Sequence, residues 1–197
     1  MNGLFSLEGP LYNFCVLVYE TFILNLLWLV GSIPIVTMGA ATTAVCSVYT
    51  KKVKGNHYNI YSDFIQGYKE NFKKASLAGT VINFSLLLGI YNVVKISRIG
   101  NEYFWLCLLQ IFILFHLLLV SLYIFPLIAR LDMKLLDIIK NALIISYKNM
   151  ITSSLNVVLF IAIAVFSLTR PVCFLFLFSG YALFISYQLE RILKRNK

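Results

Sequence analysis

The chain has 197 residues, 60% of them hydrophobic and only 13% charged, against about 25% charged in a soluble domain. So few charges cannot coat a water-facing surface, which excludes a soluble enzyme, and 16 Phe with 12 Tyr demand burial, which excludes disorder. A mean hydropathy of +0.83 and a net charge of +9 fit an all-α, polytopic membrane bundle whose basic residues lie between apolar runs. No nucleic-acid motif accompanies the charge, so no nucleic-acid partner is expected.

In chain order, the first 14 residues carry no Lys or Arg and read as mature protein rather than a signal peptide. The uncharged run 21–50 is too long for one span, since 30 residues make a helix of about 45 Å. Pro34 and Gly39 supply a bend, so residues 11–52 read as a helical hairpin, with helices over 11–33 and 39–52. The second is rich in small residues and is expected inside the bundle. Uncharged runs at 75–94, 103–129, 149–169 and 171–189 are each one span long. Arg170-Pro171 turns the last pair into a tight hairpin. The count is six membrane segments, or five if the first run is a single helix.

Between the runs, 60–72 and 131–148 show helical periodicity with a polar, basic face. Both are expected to be amphipathic helices lying in the membrane interface, either as anchors or as docking surfaces for a cytoplasmic partner. The order of surface helix, outward span and inward span occurs at 57–129 and again at 131–189, a candidate tandem repeat within one membrane domain. Residues 190–197 form a basic tail.

Of the 17 Lys and Arg, 14 fall in segments 51–74, 130–148 and the C-terminal tail. That bias predicts that these segments, and with them the C-terminus, are cytoplasmic. With six segments the N-terminus is inside too; with five it is outside.

Six polar residues fall within apolar runs: Glu20, Asn25, Asn83, Gln110, His116 and Asn156. They read as helix-to-helix hydrogen bonds or as a polar path with a Glu20–His116 proton relay; the uncharged amides favour the first. The four cysteines lie in apolar runs without metal-ligand spacing. No phosphate-binding loop, zinc helix, nucleophile elbow or dinucleotide loop appears. No catalytic group, metal or cofactor is therefore expected, and any ATP hydrolysis belongs to another chain.

The stretches Gly3-Leu4-Phe5, Gly9-Pro10-Leu11-Tyr12, Asn25-Leu26-Leu27-Trp28-Leu29, Ser32-Ile33-Pro34 and Thr37-Met38-Gly39-Ala40-Ala41 resemble the YesL family, as does Asn71-Phe72-Lys73 after Phe64 and Tyr68. YesL-like proteins are small bacterial membrane proteins of unknown function, often encoded beside carbohydrate ABC importers. The resemblance implies a cytoplasmic-membrane protein that acts as an accessory component of sugar uptake, with importer permease or ATPase subunits as partners. Phe64, Tyr68, Asn71, Phe72 and Lys73 are then the candidate docking residues. The alternatives are an independent small-solute carrier and a membrane-embedded enzyme. An importer permease is set aside, because the Glu-Ala-Ala signature of its ATPase-docking loop is missing. The sequence leaves the oligomeric state open.

Overall fold

The computed structural model describes residues 9–98 and 103–195, with the side chains of Pro10 and 171–175 left aside. The Gly3-Leu4-Phe5 motif and Lys197 lie outside the described residues. Seven α-helices account for the fold: α1 Pro10–Gly31, α2 Met38–Val53, α3 Ile60–Ser97, α4 Phe104–Ile128, α5 Leu135–Lys148, α6 Met150–Thr169 and α7 Pro171–Arg195. No strand occurs among the described residues. Among the described residues, four helices, α1, α3, α4 and α6, are long and apolar enough to cross a membrane, which marks the chain as a membrane protein.

The run 21–50 breaks as its Pro34 requires. Pro34 has no N–H to continue α1, and a single 3₁₀ turn, Ile35–Thr37, leads into α2. The Thr37 hydroxyl donates to the Gly31 and Pro34 carbonyls, both at 2.7 Å. Pro10 and Pro171 each occupy the first helical position, where a missing N–H costs nothing.

α2 is 16 residues long, about 24 Å, short for a span. It is buried along most of its length, as its small residues lead one to expect. It runs antiparallel to α3 in a close crossing. A Cβ on Gly39 would meet the Ala75 carbonyl oxygen at 2.1 Å and the Gly79 Cα at 2.9 Å. Gly39 thus lies in the first turn of α2 at a backbone-to-backbone contact, while the bend itself falls at 32–37. Farther along, Gly67 faces Ser47, and Lys51 pairs with Asp63 at 2.7 Å.

Segment 60–74 differs from expectation. It continues without a break into the apolar run, making α3 a single helix of 38 residues, about 57 Å. The sequence Lys73-Lys74-Ala75-Ser76 contains no helix breaker. Part of the apolar side of 60–74 is covered by α2 and by the start of the hairpin turn: Phe64 is buried, and the Tyr68 hydroxyl donates to the Gly31 carbonyl at 3.3 Å. Asn59 caps the helix by accepting from the Tyr61 and Ser62 N–H groups, both at 3.1 Å.

The second amphipathic segment is a separate helix, α5, because the backbone leaves helical geometry at Asn149 (φ −119°, ψ 45°). Its Ile138, Ala142, Ile145 and Ser146 are buried, and the Ser146 hydroxyl reaches the Leu119 carbonyl of α4 at 3.2 Å. The stretches 57–129 and 131–189 therefore share an order of elements but not a shape: one is continuous where the other is broken.

Candidate functional site

The basic segments converge through ion pairs. Lys51 pairs with Asp63 between α2 and α3, and Lys52 with Glu20 between α2 and α1. Lys74 of α3 reaches Asp132 in the α4–α5 link at 2.7 Å. Arg130 of that link pairs with Glu190 of α7, and Lys194 stands 3.6 Å from the same carboxylate. Segments 51–74 and 130–148 and the end of α7 are thus tied together at one end of the bundle. Burial pushes the Glu190 carboxyl up, but Arg130 and Lys194 outweigh it and hold it below its ordinary value. The clamp is intact at neutral pH and is lost as pH falls through that lowered value.

The six polar residues expected within apolar runs do not form one path. Glu20 is buried and accepts from Lys52 and from the Tyr58 hydroxyl. His116 sits on α4 with Nδ1 2.9 Å from the Phe112 carbonyl oxygen, its ring 4.1 Å from that of Phe112 and 5.9 Å from that of Tyr147. The two share no partner, so the geometry provides no Glu20–His116 relay. Asn25 is fully buried in α1. The Asn83 amide nitrogen lies 3.7 Å from the Met38 sulfur. Gln110 lies beside Gly89 at the α3–α4 contact. Asn156 donates to Gln188 and accepts at its carbonyl from the Tyr181 hydroxyl at 3.1 Å, joining α6 to α7. These are helix-to-helix contacts in the main.

Sequence reading missed the buried hydroxyl pairs Tyr49–Ser179 at 2.6 Å and Tyr123–Ser153 at 3.0 Å. Their partners are far apart in the chain, so no local spacing announces them.

The five candidate docking residues divide. Phe64 is in the core and Tyr68 is half-buried beneath it. Asn71 is half-buried and donates to the Gly67 carbonyl at 3.1 Å. Phe72 and Lys73 are exposed. Tyr61 and Ile65 lie on the same stripe as Phe72 by helical spacing and are also exposed. The exposed apolar residues of this stretch are therefore Tyr61, Ile65 and Phe72, flanked by Lys69 and Lys73.

No group of three His, Cys, Asp or Glu side chains suited to a metal occurs among the described residues. Cys15, Cys46 and Cys107 are free thiols. A cavity of about 160 Å³ lies among α1, α2, α3, α4, α6 and α7, below the ~300–1,000 Å³ of ordinary small-molecule sites.

Residues 21–93 match the model of a family described as a protein of unknown function, DUF624. The match takes in the second half of α1, the whole of α2 and α3 almost to its end, the unit built on the Gly39–Gly79 crossing. No curated protein and no solved structure matches the chain.

Proposed function

We propose that this chain is a YesL-like, non-catalytic accessory component of a carbohydrate ABC import system in the bacterial cytoplasmic membrane. In this reading the ion-paired basic end faces the cytoplasm, and importer permease or ATPase subunits dock there. The observation that carries the docking role is the exposed stripe of Tyr61, Ile65 and Phe72 beside Lys69 and Lys73. The stripe sits on a helix braced along its other side by α2, so little ordering entropy opposes binding. Exposed aromatic residues are common anchors of protein interfaces. The sugar-import context comes from the family resemblance.

Two features weigh against the alternatives. A carrier needs a polar site for its solute, and the central cavity is small and almost wholly apolar. An acid–base enzyme needs its groups within hydrogen-bond reach, and Glu20 and His116 are engaged separately.

The test is co-purification in mild detergent. Tagged protein should recover importer permease or ATPase subunits. Phe72→Glu and Ile65→Glu should each cut recovery about tenfold, equivalent to ~1.4 kcal/mol, while the folded protein accumulates normally. Recovery of no importer subunit from cells whose sugar uptake is intact counts against the proposal.

A further inference from the structure

We infer that the central cavity is a binding site for the end of a lipid acyl chain, entered sideways from the bilayer. The inference begins with depth. On α3 the charges stop at Lys74 and resume at Lys95. Between them the exposed large side chains, from Leu77 to Val94, are apolar. The α3 residues that line the cavity, Ile82, Asn83 and Leu86, fall midway between those two lysines.

The α1–α2 hairpin creates the space. Its turn reaches only the level of Asn83, which meets Met38. α3 continues to Ser97, about 14 residues or roughly 21 Å farther. The turn carries Ile33, Ile35 and Val36, exposed by 77%, 72% and 57%. Such a tip is suited to acyl chains rather than water, and the Thr37 hydroxyl occupies the Gly31 and Pro34 carbonyls at its neck. In this placement α1, though long enough to cross, ends with the hairpin turn at the depth of Asn83. The cavity lies beside the first turns of α2, walled on its other sides by α3, α4, α6 and α7.

The lining chemistry selects the occupant. Most polar groups at the wall are turned toward protein partners. The Trp28 indole N–H donates to the Thr42 hydroxyl at 3.0 Å, and Thr42 donates to the Met38 carbonyl at 2.8 Å. Ser121 donates to the Leu118 carbonyl at 2.8 Å, Tyr181 to the Asn156 carbonyl, and the Asn83 amide faces the Met38 sulfur. A trapped water needs two to four polar partners, and an apolar cavity of about 150 Å³ stays dry yet accepts a small hydrocarbon. A sugar would find a wall that is mostly hydrocarbon. Asn83, Leu86, Leu118 and Phe160 are only half-buried, so the cavity is continuous with the lipid-facing surface. At this depth the hydrocarbon available is a lipid chain.

The two tryptophans make the site readable. Trp28 lines the cavity and is 4% exposed, whereas Trp105 is 77% exposed on α4. The Trp105→Phe protein, with Trp28 as its one emitter, is reconstituted in phosphatidylcholine vesicles with or without bromine distributed along the length of one acyl chain. Bromine quenches indole on contact, so Trp28 should lose most of its emission in the brominated vesicles. Ser121→Phe or Asn83→Phe, whichever yields folded protein, should fill the cavity and restore it. The Trp28→Phe protein should show Trp105 quenched throughout, which verifies the quencher. Trp28 equally bright in both lipids while Trp105 is quenched would overturn the site. So would quenching of Trp28 that survives filling of the cavity.

Discussion

Gly39→Ala should cost about 3 kcal/mol or more, among the largest effects of any single methyl added to this protein. The new Cβ would lie 2.1 Å from the Ala75 carbonyl oxygen and 2.9 Å from the Gly79 Cα. Both obstacles are backbone, so no rotamer change relieves them and α2 must move off α3. Overpacking in a well-packed core typically costs 1–3 kcal/mol, more where nothing can yield. Gly79→Ala should behave alike, since its Cβ would meet the Gly39 Cα at 2.7 Å. The control is Gly180→Ala, where nothing beyond its own stretch of helix lies within 4 Å of the added Cβ. That change should be neutral or stabilising by ~0.5–1 kcal/mol through helix propensity. Unfolding curves in one detergent would compare the three. A Gly39→Ala protein as stable as the Gly180→Ala protein would show that the crossing is not close.

The second large effect concerns Glu20 and Lys52. Glu20 is 5% exposed and is held by Lys52 and Tyr58. Removing one partner of a buried ion pair strands the other charge and costs about 3–5 kcal/mol, whereas replacing both by apolar groups of similar volume is often neutral. Lys52→Met should destabilise strongly, Glu20→Leu less because Lys52 is partly exposed, and the double variant should recover most of the Lys52→Met loss. Chemical unfolding of the four proteins in detergent gives the coupling directly. Additive losses in the double variant would mean that the pair does not act as a unit.

Much of the architecture was legible from residues because its signals are local. Pro34 ends α1 wherever the chain goes next, and the small residues at 39–44 foretell a buried helix whatever buries it. The course of 60–74 was not legible. Its periodicity, with Phe64 and Tyr68 on one side and Lys69 and Lys73 on the other, reads the same whether the apolar side meets lipid headgroups or another helix. Only the placement of α2 decides that the side is covered, which takes Phe64 out of any docking surface and leaves Phe72, Tyr61 and Ile65. For the same reason the intramembrane polar residues could be found but not paired. Glu20 meets Lys52 and Tyr58 through the turn of a hairpin, and His116 is left among aromatic rings.

The central claim is that segments 51–74 and 130–148 and the end of α7 share one end of the bundle, and that this end faces the cell interior. Single cysteines at Lys54→Cys, Asp132→Cys and Arg98→Cys, in a background without the native cysteines, would be exposed to a membrane-impermeant maleimide on intact cells. The account predicts labelling at 98 alone, with 54 and 132 reacting only after the membrane is opened. Labelling of 54 and 132 from outside with 98 protected would reverse the orientation, and labelling of one of that pair without the other would separate segments that the ion pairs join.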